Sequence, residues 1–340
     1  LSFSRFVTTP ENRSALAAVE QVAECICADR WHRAPNPLYL HGPTGTGKTH
    51  LISALAAVVS DRCRHLIATV VQAKEFETRS RALDPKSRVS VDELEAVRGS
   101  DLLVIEDIHQ LCTRGNGPRS LTVEALVQTF DELYARQRQL VFTATVGPGQ
   151  LPHMPARLAS RLACGLVVAI EPLRSASRLS LLQDKAQRRQ LAISHDVLAW
   201  LAEHLRGGIR QLEGSIVQLE TLARLQKRPL DLTTVSRHFR DQVEASRPTV
   251  MRIVERVGSY FQVEPRRLQS RRRYQSTVLP RQVSMYLARV LTNLSLDRIG
   301  SYFGGRDHST VLHACRKIEQ GLARDPVLSG TIKQLHADLA

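Results

Sequence analysis

A phosphate-binding loop fixes the class of the first half of this chain. Gly42-Pro43-Thr44-Gly45-Thr46-Gly47-Lys48-Thr49 follows the apolar run Leu38-Tyr39-Leu40 and leads into a helical stretch over residues 51–59. Glycines at this spacing let backbone N–H groups converge on phosphate oxygens. Lys48 reaches the outer phosphates and Thr49 offers its hydroxyl to Mg2+. All eight loop residues are therefore candidate contacts to ATP.

The surrounding pattern agrees. Residues 65–71, 102–105, 140–143 and 166–170 are short apolar runs, separated by helical stretches such as 119–136. Strands alternating with helices predict an α/β domain with a mainly parallel sheet. The run 102–105 ends on Glu106-Asp107. Carboxylates beside a buried strand are costly without a cation, so Glu106 is expected to help hold Mg2+ and Asp107 to orient the attacking water. The strand at 65–71, between phosphate loop and acid pair, points to the ATPase branch with an inserted central strand.

Further polar residues fall where such a site needs them. Thr143 and Thr145 close the strand at 140–143; either one touches the γ-phosphate or lytic water, or both are ordinary strand-end threonines. Arg157 and Arg161 stand four apart on one helix face, either as a solvated face or with one serving a neighbour's ATP. Arg210 sits at the start of a helix from which a lid could bring a cation to the phosphates. Residues 175–244 read as purely helical, with Leu179, Leu182, Leu198, Leu201 and Leu205 at helical spacing and Gly207-Gly208 as a break. Arg247-Pro248 marks the next junction. The expected boundaries are 1–172, 173–246 and 247–340.

Charge separates the last segment from the rest. The chain carries +14, and residues 247–340 hold 16 Lys+Arg against 7 Asp+Glu. A polyanionic partner, most simply nucleic acid, follows. Residues 296–303 read as a short helix, Gly304-Gly305 as a tight turn, and residues 308–319 as a second helix. Helix, turn and helix in a basic context is the form that lays its second helix in the major groove. Asp307, His308 and Ser309 would meet base edges, although Asp307 is equally a helix cap; Arg316 and Lys317 suit phosphate. Arg266-Arg267 and Arg271-Arg272-Arg273 form a second basic cluster ahead of Pro280-Arg281-Gln282, where a loop could track phosphate or insert into a narrow minor groove.

No apolar run approaches the ~20 residues that span a bilayer, and no signal pattern opens the chain; a cytoplasmic protein is expected. Six scattered cysteines lack metal-ligand spacing and read as buried reduced thiols.

These residues together resemble the bacterial DnaA family of chromosomal replication initiators, over nearly the whole chain. Residues 304–319, Gly-Gly-Arg-Asp-His-Ser-Thr-Val-Leu-His-Ala-Cys-Arg-Lys-Ile-Glu, carry the most specific likeness, with support from 42–50, 168–172, 210–214 and 280–282. The resemblance implies an AAA+ parallel-sheet ATPase domain with a helical lid, followed by an all-α helix-turn-helix domain. It implies a slow ATPase that binds ATP and Mg2+ and switches on hydrolysis. It further implies binding of short duplex repeats at an origin, ATP-dependent self-association into a helical oligomer, contact with single-stranded DNA in that assembly, and melting of adjacent DNA. Acidic phospholipids are a further partner it suggests.

By position, the resemblance makes Arg161 the arginine finger, Arg157 an interface arginine and Arg210 the second sensor. It makes Arg273 the arginine of the minor groove, and Arg281, Arg306, Thr310 and Lys317 DNA contacts. Asp307, His308 and Ser309 become base contacts, and Leu296 a contact to a thymine methyl. It places single-strand contacts within residues 74–99. The family has paired aspartates where Glu106-Asp107 stands and an aspartate where Thr145 stands, so altered ATP turnover is expected. The helper domain through which the family recruits the replicative helicase is missing from these residues, which puts helicase loading by the chain as given in question while the resemblance keeps the helicase among its partners. An ATP-switched transcription regulator and a non-hydrolysing initiator paralogue remain alternative readings.

Overall fold

The computed structural model describes residues 2–80, 91–112, 119–151, 154–226, 230–270, 274–322 and 324–339. The chain divides into two compact units: Leu1–Leu191 with Gly207–Gln218, and Ala192–Arg206 with Leu219–Ala340.

The first unit is built on a five-stranded parallel sheet of order β2-β3-β4-β1-β5. Its strands are β1 (Leu38–His41), β2 (Ala68–Gln72), β3 (Leu102–Glu106), β4 (Gln139–Ala144) and β5 (Leu166–Ala169). Successive side chains leave opposite faces of a strand, and the sequence uses both. Leu38, Leu40, Leu102, Val104 and Val141 are buried with α1 (Arg13–Cys27) and α2 (Lys48–Arg62). Tyr39, Leu103, Ile105, Leu140 and Phe142 are buried on the other face, with α3 (Ala73–Ser80), α4 (Val91–Arg98), α5 (Arg119–Ala135) and α6 (Ala156–Ala163). Strands covered on both faces read as continuous apolar runs, which is why they stand out in the sequence.

Two details differ from the sequence reading. The strand lying between β1 and β3 is β4, whereas the segment 65–71 supplies the edge strand β2, beyond β3. That strand also begins only at Ala68. Its edge position explains the late start: Ile67 and Val70 are exposed, so their apolar character did not signal burial. Among the described cysteines Cys164 is exposed, contrary to the expectation of uniformly buried thiols.

Beyond β5 lie α7 (Ser175–Arg188) and the first half of α9 (Ile209–Gln226), which complete the first unit. The second unit is all helical. It comprises α8 (His195–His204), the rest of α9, α10 (Leu232–His238), α11 (Arg240–Ser246), α12 (Val250–Tyr260), α13 (Pro265–Gln269), α14 (Gln275–Leu291), α15 (Leu296–Tyr302), α16 (His308–Leu322) and α17 (Pro326–Leu339). One core made only of residues from Val250 onward joins α12 to α17, with Ile253, Val257, Val283, Phe303, Val311 and Leu335 fully buried. Pro280 stands inside α14, and Ser284 Oγ donates to its carbonyl (2.9 Å). Thr249 and Ser295 cap α12 and α15 with their side-chain oxygens. Among the described residues no helix is long and apolar enough to cross a membrane.

Candidate nucleotide site and nucleic-acid interface

The phosphate loop connects β1 to α2, and its residues sit where a parallel sheet presents its strand ends. Lys48 is buried, and its ammonium donates to the carbonyls of Gly42 (2.6 Å) and Pro43 (2.9 Å). Thr46 Oγ1 also donates to Pro43 (2.9 Å), tightening the loop. Burial pushes the Lys48 pKa down, and the nearby charges of Asp107 and Glu106 push it back up. Thr44, Gly45, Gly47, Lys48 and Thr49 line an open cleft.

One contact requires glycine on both sides. Gly45 has φ +83°, and a Cβ there would lie 3.0 Å from the Gly208 Cα; a Cβ on Gly208 would lie 2.8 Å from the Gly45 Cα. Ile209 N–H donates to the Gly45 carbonyl (2.8 Å). The phosphate loop is thus hydrogen-bonded to the start of α9, the helix whose first turn carries Arg210. Arg210 is exposed and lines the same cleft.

The acids of β3 divide their environments. Glu106 is buried at 5% exposure, and Gln72 Nε2 on neighbouring β2 donates to its Oε2 (2.6 Å). Its Oε1 is buried with no hydrogen-bond partner among the described residues. A buried anionic oxygen without a donor is unfavourable unless a cation satisfies it. That oxygen fits Mg2+, and Thr49 is exposed on the cleft wall.

Asp107 lies one residue beyond β3 with φ +57°, a left-handed conformation that aspartate tolerates better than most residues. Its N–H donates to Thr143 Oγ1 (3.0 Å), and Gln110 Nε2 reaches its Oδ2 (3.5 Å). Thr143 is fully buried, so its hydroxyl fixes the backbone of Asp107 instead of facing the cleft. Thr145, half-buried just past β4, does not line the cleft either.

His109 faces Asp107, Nδ1 to Oδ1 3.9 Å. Burial pushes its pKa down; the Asp107 carboxylate opposes this and the Lys48 ammonium reinforces it. Sequence reasoning missed His109 and two further parts of the wall. Phe6 packs edge-on against His50 at 5.3 Å, and Lys185 on α7 pairs with Glu213 on α9 (2.6 Å). None carries a local motif, and the contacts of Phe6 and Lys185 join residues distant in the chain.

Arg161 stands apart from this cleft. It is on α6, and its guanidinium donates twice to Asp131 of α5, Nε to Oδ1 at 2.6 Å and Nη2 to Oδ2 at 2.8 Å. A third donor reaches the Arg157 carbonyl (3.0 Å). The hydrogen bonds to Asp131 push the Arg161 pKa up. Arg157 pairs loosely with Glu124 (3.9 Å).

In the second unit, α15 and α16 meet through a turn at Gly304 (φ +84°) and Gly305 (φ +68°), conformations that a side chain would strain. Asp307, His308 and Ser309 are exposed at the start of α16, and Lys317 is exposed further along. The Asp307 carbonyl accepts the N–H groups of Thr310 (2.9 Å) and Val311 (3.3 Å). Arg306, Ser309, Thr310 and Gln282 line one groove.

Arg281 also borders that groove but is 5% exposed, and its guanidinium donates to the carbonyls of Leu268 (2.8 Å) and Arg267 (2.9 Å). It ties α14 to α13. Leu296 is half-buried and packs on the core. Arg273 and its neighbours Arg271 and Arg272 lie outside the described residues, as does part of the segment 74–99, residues 81–90.

The comparisons with known proteins match this arrangement. The bacterial DnaA ATPase domain family matches residues 1–169, and the bacterial DnaA helix-turn-helix family matches residues 250–318. The chain is 32% identical over 339 residues to the chromosomal replication initiator protein DnaA of Enterococcus faecalis, covering 98% of this chain and 73% of that protein. A solved structure of replication initiator DnaA bound to AMPPCP and single-stranded DNA is similar over 100% of this chain and 98% of its own, with TM-score 0.59 and 25% identity. Domain III of the Thermotoga maritima initiator is similar over 72% of this chain and 97% of its own, with TM-score 0.61 and 25% identity. An ATPase domain and a helix-turn-helix domain in this order, with identity at this level across the chain, place it in the bacterial DnaA family of replication initiators.

Proposed function

We propose that this chain binds ATP and Mg2+ in the cleft of its first unit, and that the nucleotide controls its self-association on origin DNA. Lys48 holds the outer phosphates, Thr49 and Glu106 hold the metal, and Asp107 orients the water. When bound, Mg2+ would supply positive charge that offsets that of the phosphates. Arg210 adds a cation from α9. The start of α16 reads duplex repeats through Asp307, His308 and Ser309, with Arg306, Thr310 and Lys317 close by and Arg273 in the minor groove. The assembled form contacts single-stranded DNA and melts the adjacent duplex. We place this activity in the cytoplasm, and assign the three-part division 1–172, 173–246 and 247–340 to ATPase, lid and DNA-binding roles. Acidic phospholipids and the replicative helicase are the family's remaining partners.

The observation that carries the assembly step is the position of Arg161, half-buried on α6 beside Asp131 and outside the cleft lined by Lys48 and Arg210. A cation so placed suits the γ-phosphate of a neighbouring copy. The test is permanganate footprinting of clustered short repeats beside an AT-rich tract. Reactive thymines are expected with ATP, fewer with ADP, and none with Arg161→Ala, although that variant should bind ATP normally. Equal reactivity with ATP and ADP would exclude nucleotide control, and melting by the Arg161 variant would remove that residue from the role.

A further inference from the structure

We propose that Asp297 is a specificity-determining residue of the DNA-reading surface, acting through His308. The proposal rests on the reading of α16 as the base-contacting helix. Asp297 lies in the first turn of α15 and His308 opens α16, and the turn between these helices brings Asp297 Oδ1 to 3.5 Å from His308 Nδ1. Both side chains are largely exposed, 79% and 67%. An exposed pair of this kind contributes little to holding the fold. A carboxylate beside a surface that meets a polyanion also works against affinity. Its presence there is explained by what it does to the imidazole.

When the ring carries a single proton, a carboxylate 3.5 Å from Nδ1 favours the tautomer with that proton on Nδ1, which presents the lone pair of Nε2 outward. An acceptor at that point reads an exocyclic amine, adenine N6 or cytosine N4, and discriminates against the O6 and N7 acceptors of guanine. Without the carboxylate the ring turns and exchanges tautomers freely, offering either a donor or an acceptor. Asp297 therefore selects which base edge His308 accepts, without contacting the base itself.

The test selects bound sequences from a pool of duplexes randomised over about one helical turn. The full chain is compared with Asp297→Ala, Asp297→Asn and His308→Ala, each checked for folding by thermal denaturation. His308→Ala should flatten the preference at one base pair. Asp297→Ala should lower discrimination at that same base pair about fivefold, the worth of one hydrogen bond, while raising affinity for unrelated duplexes. Asp297→Asn, whose amide oxygen still accepts from Nδ1–H, should keep the base preference and share the uniform gain in affinity. An unchanged preference in Asp297→Ala, or a change at a different base pair from that of His308→Ala, overturns the proposal and leaves the reading of α16 standing. If the wild type enriches no sequence, that reading falls and the proposal falls with it.

Discussion

At the level of single residues, the cleft is organised by what each polar atom is left to do. Lys48 spends two of its donors on loop carbonyls and is the cation at the centre of the phosphate loop. Lys48→Ala should abolish ATP binding, measured by filter binding or nucleotide-dependent thermal shift; retention within tenfold would show that other groups carry the phosphates. Glu106 is one carbon longer than an aspartate, ~1.5 Å of extra reach, and Gln72 already occupies one of its oxygens. Asp107 is shorter than a glutamate and is fixed at its backbone by Thr143. Misplacements of this size cost about a hundredfold in rate. Single-turnover hydrolysis should therefore be slow, and Asp107→Glu should alter it while Asp107→Ala abolishes it. A wild type turning over at tens per second, or an unaffected Asp107→Ala, would take these acids out of the reaction.

Among elements, the contact between the phosphate loop and α9 is the most constrained. Gly208→Ala would place a methyl 2.9 Å from the Gly45 carbonyl oxygen. Overpacking of this kind costs about 1–3 kcal/mol, so nucleotide affinity should fall about tenfold by equilibrium titration while the sheet stays folded by circular dichroism. An unchanged affinity would mean that α9 can yield without disturbing the loop. Such contacts mark the limit of what the sequence discloses. The phosphate loop, the acid pair and the Gly304-Gly305 turn are legible because their chemistry needs neighbouring residues. The link from Asp107 to Thr143, the Lys185–Glu213 pair and the anchoring of Arg281 join residues far apart in the chain, and no period or spacing announces them. The order of the strands is hidden for the same reason, since an apolar run reveals burial but not its hydrogen-bonded neighbours.

For the whole molecule, the surplus of cations in residues 247–340 and the core confined to residues from Val250 onward describe a segment that can work by itself. A fragment of residues 247–340 should fold and bind its duplex site, losing about 10²- to 10³-fold in affinity between low and physiological salt if several phosphates are neutralised. His308→Ala in that fragment should weaken the true site while leaving random duplex nearly unchanged; equal losses on both would show phosphate contact alone. Binding insensitive to salt would contradict the charge argument.

The sheet order carries a consequence for how damage spreads. Because β4 lies between β1 and β3, the strand bearing the phosphate loop and the strand bearing the acids are two steps apart, about 10 Å at the usual spacing. The end of β4 is the fulcrum between them, and its hidden hydroxyl at Thr143 steadies the acid side. A methyl in place of that hydroxyl would strand the Asp107 N–H in a left-handed bend. A residue belonging to no motif thus governs the aim of one that does, and variation at such a fulcrum would silence the enzyme while every recognisable signature remained intact.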